Sequence, residues 1–340
     1  MKIRFVIFVV CLNSGDKLMS TLKSIYEQTY DNVEIVIKDG LSTDTSVKEL
    51  KTLLNVDGDS FATDTSVKEL KTLRNAEGDS FSTDMSAKEL KALFNTEGDS
   101  FATVYEGKKT VFTAKSDKGI YDAMNQAVEI WYGLNSSVDE GERVYCQFLN
   151  CGDVFYNKTV LEDMAEKIKS DTRVSDDELL ICYGDRFNVL QGSVVTSSPK
   201  INDLALYRNV PCHQVCFYDY RLMADRGGES YTCYYQKYNV RGDYEHFLNC
   251  VYERGAGTRH MDIVICRYEG GGYSETPENR KKSEQQHREI TRRYMGVKAD
   301  IYRWIMILSG ARIRTYLSES PVFAGVYNKI KSAIYGMGRK

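Results

Sequence analysis

An unbroken apolar run near the amino terminus, Phe5-Val6-Ile7-Phe8-Val9-Val10 within Ile3 to Cys11, constrains the fold of this chain more than any other feature. A strand with one wet face alternates apolar and polar residues, whereas a continuous run suits a parallel strand covered on both sides. A helical segment follows, then a second such run, Val33-Glu34-Ile35-Val36-Ile37-Lys38, leading into Asp39-Gly40-Leu41-Ser42-Thr43-Asp44. Two buried strands around one helix predict an open α/β sheet, and such sheets bind ligands beyond the carboxyl ends of their strands. Cys11-Leu12-Asn13 and Asp39-Gly40 are therefore expected side by side at a ligand crevice. Asp39 is the first candidate residue.

The 340 residues are ample for one large α/β domain or two smaller ones, and 42% hydrophobic with 27% charged residues is ordinary for a soluble globular protein. The net charge of -3 hides an asymmetry, because residues Arg280 to Lys340 carry 14 Lys and Arg against 4 Asp and Glu. Such a tail can meet nucleic acid, an acidic membrane surface or, most commonly, solvent. Nine cysteines without a CxxC pair or a secretory leader predict reduced thiols in a cytoplasmic protein. No run of about 18 apolar residues exists that would span a bilayer.

Residues 43–102 hold three near-copies of a 20-residue unit, seen by aligning Ser46-Val47-Lys48-Glu49-Leu50 with Ser66 to Leu70 and Ser86 to Leu90. Each Ser stands three residues before a Glu, the spacing of a capping box, and Val47, Leu50 and Leu53 share a helical face. Each copy reads as a short helix ended by Gly-Asp-Ser at Gly58, Gly78 or Gly98. Together they read as an expanded peripheral helix rather than a solenoid. Deleting residues 63–102 should on this reading leave a folded, active protein. Asn55 to Asp59 alternates oxygen ligands but lacks the spacing and terminal Glu of a calcium loop.

The α/β alternation resumes with a strand at Thr110 to Ala114 and a helix from Gly119 to Tyr132, whose stripe is Ile120, Ala123, Met124, Ala127 and Ile130. A strand at Val144 to Leu149 runs into Asn150-Cys151-Gly152-Asp153. A helix over 159–170, a strand at Leu179 to Tyr183, a tyrosine-rich irregular stretch over 184–240, a helix from Asp243 to Tyr252 and a strand from Met261 to Tyr268 follow. Gly270-Gly271-Gly272 then leads to a helical tail.

Asp39, Asp153 and Asp243 all fall where a strand ends or a helix begins. An Asp at such a place is individually a cap or turn residue. Recurring together, the three suit a nucleotide and a divalent cation, because Mg²⁺ takes one or two carboxylates plus diphosphate oxygens. Pro211-Cys212-His213-Gln214-Val215-Cys216 lacks the second ligand pair of a zinc site. No GxGxxG, P-loop or nucleophile-elbow motif is present.

Five elements in order resemble the family 2 inverting glycosyltransferases of bacterial surface-polysaccharide assembly. They are the first strand through Asn13, Val33 to Asp44, Ser116-Asp117-Lys118-Gly119-Ile120-Tyr121-Asp122-Ala123-Met124-Asn125, Phe148 to Asp153, and Gly242-Asp243-Tyr244-Glu245. The resemblance covers about residues 1–275 and implies a GT-A fold, a Rossmann-like mixed sheet with helices on both faces. Residues 276–340 are read as a basic helical carboxyl-terminal extension.

What the resemblance implies about the site is specific. Asp39 would meet the nucleoside base, with Asn13, Asp117 and Lys118 lining the same nucleotide-sugar pocket, and Asn150 to Asp153 would stand at the family's DxD element. Asn150 and Gly152 depart from that element, leaving Asp153 as the one carboxylate for a Mg²⁺ or Mn²⁺ ion. Asp243 would be the catalytic base, and His213 and Gln214 would border the acceptor. The implied activity is transfer of a sugar from a nucleotide-sugar donor, UDP-linked by expectation, to a glycan or lipid-linked acceptor. Tyr302, Trp304, Ile305, Ile307 and Leu308, mixed with Arg303, Arg312 and Arg314, suggest contact with the inner face of the cell membrane. Packing of this tail against the core or a second subunit is the alternative there. For the whole chain the alternative is an inactive nucleotide-binding or scaffold relative. No nucleic-acid module is expected.

Overall fold

The computed structural model describes residues 1–54, 97–134, 138–172, 177–224, 233–269, 276–309 and 323–337. The second repeat copy, most of the third, Asn55 to Asp59, Gly270 to Gly272, Arg312 and Arg314 lie outside the described residues. Among those described, ten strands form one mixed sheet. At its centre, β1 (Lys2–Cys11) pairs parallel with β2 (Val33–Asp39) on one side and β5 (Glu142–Phe148) on the other. Beyond β2 lie β4 (Lys108–Ala114), parallel to it, and the edge strand β3 (Ser100–Tyr105), antiparallel to β4. Beyond β5 come β9 (Cys216–Asp219), β7 (Leu180–Asn188), β10 (Gly257–Tyr268) and β6 (Val154–Phe155), with β8 (Ser193–Val195) paired to β7. Only β9 runs against both of its neighbours within this central order.

The expectation for the first apolar run holds. Every residue from Phe5 to Val9 is fully buried, so both faces of β1 are covered. Helix α1 (Asp16–Tyr26) buries Leu18, Leu22 and Ile25, spaced by four and three, as one helical face requires. Helix α2 (Ser46–Leu53) is the first repeat copy. Helix α3 (Ile120–Leu134) packs over β1 and β2, and α4 (Val160–Ser170) against β10. Ile120, expected on the buried stripe of α3, is 36% exposed. Tyr121 takes the inward place instead.

Two details of the repeats are corrected. The capping box does not form: Ser46 turns its hydroxyl to Asp44 Oδ1 at 2.5 Å, and Thr45, not Ser46, pairs with Glu49. The Asp44 carboxylate lies two residues before the first helical amide and captures it, accepting from Ser46 N at 3.1 Å. The end of the third copy is a strand, not a helix terminus. Phe101 stacks on Phe112 across the β3–β4 pair, and Glu106 and Gly107, both with positive φ, make the hairpin turn. A deletion of 63–102 takes out two whole units, so Gly58 to Ala62 would lead into Thr103 as Gly98 to Ala102 do, with Phe61 in the place of the buried Phe101.

The remaining helices are α5 (Asp203–Arg208), α6 (Gly242–Tyr252), α7 (Pro277–Met295), α8 (Val297–Leu308) and α9 (Ala324–Met337). Helix α7 docks on the segment leading into α6: Gln286 Oε1 accepts from Val240 N at 3.1 Å and Arg241 N at 3.0 Å, and Arg241 Nε donates to Ser283 Oγ at 2.7 Å.

Candidate functional site

The carboxyl ends of β1 and β2 lie side by side as expected, with Cys11 opposite Asp39 and Gly40 N donating to Cys11 O at 2.8 Å. Asp39 is fully buried, and its carboxylate accepts from Ser42 N at 2.7 Å, Ser42 Oγ at 2.5 Å and Cys11 Sγ at 3.4 Å. Asn13 holds a left-handed backbone, which Asn tolerates, and ties the two loops together: its N donates to Ser42 Oγ at 2.7 Å and its Oδ1 accepts from Thr43 N at 2.8 Å. Ser42 is therefore the hub of this corner, and sequence reasoning assigned it no role.

Asp117 closes the crevice from the next loop. It pairs with Lys38, a fully buried lysine, and its Oδ1 accepts from Gly119 N at 3.0 Å. Position 40 must be glycine, since a Cβ there would sit 2.9 Å from Asp117 Oδ2 and 3.2 Å from Leu12 Cδ1. Lys118 is exposed at the rim, its backbone N–H bound to Asp122. Asn13, Asp39 and Asp117 are thus brought together, with Lys118 flanking them.

The turn after β5 is fixed by Thr21 of α1. Its hydroxyl donates to Asp153 O at 2.9 Å and accepts from Gly152 N at 3.0 Å, while Asp153 N closes the turn onto Asn150 O. Asp153 is 7% exposed, and Gln214 Nε2 donates to its Oδ2 at 3.0 Å. Burial pushes this carboxyl up to about 6, against the smaller opposing pull of Gln214, His213 and Arg186. No cluster of three potential metal ligands exists among the described residues. Mg²⁺ can be held by one carboxylate together with diphosphate oxygens, and Asp153 is the candidate carboxylate. A cleft of about 240 Å³ opens beside Gly152, lined by Asp16, Lys17, Ser20, Arg267 and Glu269 among others. Lys17 and Glu269 pair across it at 3.4 Å.

Asp243 lies at the second position of α6 with its side chain 28% exposed. Its Oδ1 accepts from Tyr244 N at 2.8 Å and Tyr121 OH at 3.1 Å, and its Oδ2 lies 3.5 Å from His213 Nδ1. Burial pushes the carboxyl up, but the His213 Nδ1–H facing it, with Arg241 and the Tyr244 amide, outweighs this, and the net direction is below the ordinary carboxylate value. The group is therefore ionised at neutral pH. Arg241 occupies the cap position, and Asp243 satisfies the first-turn amide of Tyr244 with Oδ1 while its Oδ2 faces His213. Gly242 has no room for a side chain because the Tyr121 ring lies 2.8 Å from where its Cβ would be. This packing explains the inward turn of Tyr121.

His213 and Gln214 sit in a short 3₁₀ turn, His213–Val215, just before β9. His213 Nε2 meets Asn150 Nδ2 at 2.8 Å. The neighbouring cysteines join no cluster of three potential metal ligands among the described residues; burial raises both thiols, and Cys216 Sγ donates to Cys212 O at 3.3 Å. The structure thus joins Asn150, Asp153, His213, Gln214 and Asp243 in one constellation at the strand ends. Thr21, Tyr121 and Lys17, which shape it, carried no sequence signal beyond their helical positions.

A family model described as Glycosyl transferase family 2 matches residues 6–75. A PGL/p-HBAD biosynthesis glycosyltransferase of Mycobacterium bovis (strain BCG / Pasteur 1173P2) is 28% identical over 171 residues, covering 50% of this chain and 59% of the relative. One from Mycobacterium tuberculosis (strain ATCC 25177 / H37Ra) matches with the same values. The match thus spans about three fifths of the length of these relatives. Among solved structures, S. aureus TarS 1-349 in complex with UDP aligns with a TM-score of 0.53 at 13% identity, covering 93% of this chain and 75% of that one. A longer S. aureus TarS chain aligns at 0.50 and 14% identity, covering 93% of this chain and 44% of that one. The likeness to TarS is one of fold. The resemblance to family 2 and the GT-A fold that it implies are both borne out.

Proposed function

We propose that this family 2, GT-A-fold chain is an inverting glycosyltransferase that moves a sugar from a nucleotide donor, UDP-linked, to a glycan or lipid-linked acceptor in bacterial surface-polysaccharide assembly. The observation that carries this reading is the placement of an ionised Asp243 across His213 from Asn150, one turn from Asp153. The printed name of the mycobacterial relatives, PGL/p-HBAD biosynthesis glycosyltransferase, supports the class of reaction.

In this reading the nucleoside lies over Asn13, Asp39 and Asp117, with Lys118 at its edge and Asn150 facing the ribose. Asp153 would hold a divalent cation, which when bound neutralises charge on the departing diphosphate. Asp243 Oδ2 takes the proton of the acceptor hydroxyl as that oxygen bonds to the anomeric carbon. The bond to the nucleoside diphosphate breaks on the opposite face, so a single displacement inverts the centre. A placed base contributes about 10² to 10⁴ in rate. Gln214 fixes the Asp153 carboxylate and, with His213, forms the wall toward the acceptor.

Helix α8 supports a location at the cytoplasmic face of the membrane. Val297, Ile301, Trp304, Ile305 and Leu308 are 40% to 83% exposed and recur at the spacing of one helical face. The other side is anchored, Lys298 to Asp203 at 2.9 Å and Tyr302 against Tyr207. With the basic surplus of the tail, an anionic bilayer is the fitting occupant, each nearby Lys or Arg contributing about 1 kcal/mol. No helix among the described residues is long and apolar enough to cross a membrane. Flotation with phosphatidylglycerol vesicles tests this: Ile301→Glu with Trp304→Glu should stay at the bottom of the gradient, and recovery equal to wild type would remove the reading.

The donor reading is tested by thermal shift against UDP, GDP, CDP and dTDP, each with Mg²⁺, Mn²⁺ or EDTA. Stabilisation by one nucleotide that needs the cation supports it. Folded protein that responds to none favours the inactive scaffold relative.

A further inference from the structure

We propose that His213 is a positioning residue that transmits the state of the donor side to the base, an inference that rests on the transferase reading above. Two other elements converge on its imidazole. Asn150 comes from the turn after β5, Asp243 from the start of α6, and His213 itself from the turn before β9. The ring is 13% exposed, with Nε2 at 2.8 Å from the Asn150 amide nitrogen and Nδ1 at 3.5 Å from Asp243 Oδ2.

The chemistry of these contacts fixes the proton. An amide N–H₂ only donates, so Nε2 must accept, and a neutral ring then carries its hydrogen on Nδ1, facing the carboxylate. A lone pair on Nδ1 would instead face the Asp243 oxygen and be repelled. Turning the Asn150 amide over presents its oxygen to Nε2, which then needs a hydrogen of its own. With Nδ1 still bound to face Asp243, the ring must become an imidazolium. The orientation of one amide thus selects between a neutral and a charged neighbour for the base.

Asn150 is free to make that choice in a ligand-dependent way. Its Oδ1 is buried without a hydrogen-bond partner, an acceptor left open on the donor side. Asp243 is equally prepared. Tyr121 and Tyr244 hold Oδ1, whereas the 3.5 Å separation at Oδ2 is longer than a closed hydrogen bond and leaves that oxygen for a hydroxyl. A donor hydroxyl that engages Asn150 Oδ1 therefore stabilises the amide orientation that keeps His213 neutral and Asp243 able to accept a proton.

The test is long-range ¹H–¹⁵N spectroscopy of the full chain, which has four histidines, His213, His246, His260 and His287. His213→Gln identifies the His213 signals. The expected result is the Nδ1–H tautomer with Nε2 as a hydrogen-bonded acceptor, signals that move on addition of UDP in wild type, and loss of that response in Asn150→Ala although UDP still binds. Asp243→Asn should remove the tautomer bias. Steady-state UDP release from UDP-sugars should show His213→Gln lowering kcat at least tenfold with KM within about threefold. An Nε2–H tautomer, or His213 signals indifferent to UDP that demonstrably binds, overturns the proposal. Failure of UDP to bind overturns the donor reading and the coupling with it, while the tautomer still reports on the geometry.

Discussion

Gln214 donates to Asp153 at 3.0 Å, yet this bond does not offset the burial of the carboxylate, which titrates at about 6 rather than near 3.8. A carboxyl whose proton is held more tightly in the folded state favours folding below its ordinary value, and that contribution is lost as pH rises through about 6. Asp153→Asn is expected to raise stability at pH 7.5 by up to about 3 kcal/mol, with no gain near pH 4. Thermal denaturation at the two pH values reads this directly. A variant less stable than wild type at pH 7.5 would refute it. The same substitution should abolish any cation-dependent stabilisation by nucleotide.

Asp243→Asn should leave nucleotide binding intact and lower turnover by about 10² to 10⁴. Near-wild-type turnover in a folded variant would exclude Asp243 as the base.

Gly242→Ala would push a methyl group into the Tyr121 ring and move its hydroxyl off Asp243. Overpacking of this kind costs about 1–3 kcal/mol. The expected outcome is a lowered melting temperature with an additional fall in kcat, whereas Tyr121→Phe, losing one hydrogen bond worth about 1 kcal/mol, should be the milder change.

His287 donates to Tyr207 O at 2.7 Å, and its burial lowers it to about 4 from 6.5. A histidine that folds in the neutral form stabilises the structure above its ordinary value, and this is lost as pH falls from 6.5 toward 4. Helix α7 should therefore loosen on acidification. Hydrogen exchange at the Val240 and Arg241 amides, which Gln286 holds, is expected to accelerate over that range beyond the intrinsic pH effect. In His287→Gln the acceleration should be absent, and its persistence there would assign the effect to another group.

The repeat deletion keeps the sequence of the strand at Ser100–Tyr105. Removing residues 63–102 joins Ala62 to Thr103, so Gly58 to Ala62 repeat Gly98 to Ala102 residue for residue and Phe61 takes the place of Phe101. This shorter chain should fold and keep nucleotide binding, and insoluble expression would show that the extra copies are structural.

The fold was legible where burial on both faces writes a continuous apolar run, as in β1, β2 and β5. It was illegible over 184–240, where β8, α5 and β9 are short and take their places from neighbours rather than from their own periodicity. Ser100 to Tyr105 was hidden for a different reason, since its sequence repeats that of copies read as helical and only pairing with β4 distinguishes it. Among site residues, carboxylates at strand ends could be found because their position and chemistry coincide. Ser42, Thr21 and Tyr121 could not, because a hydroxyl on a loop or helix face acquires its partner only from tertiary contact.

The clamp of Gln286 on Val240 and Arg241 also orders events in time. A chain emerging from the ribosome completes the crevice of Asn13, Asp39 and Asp117, and then the turn at Asp153, well before α7 exists. On the proposed reading, the residues that would grip the donor are made early, and the backbone before Asp243 can be held by Gln286 only after synthesis has passed residue 286. On that reading a nascent chain of this design would hold a nucleotide before it could use one.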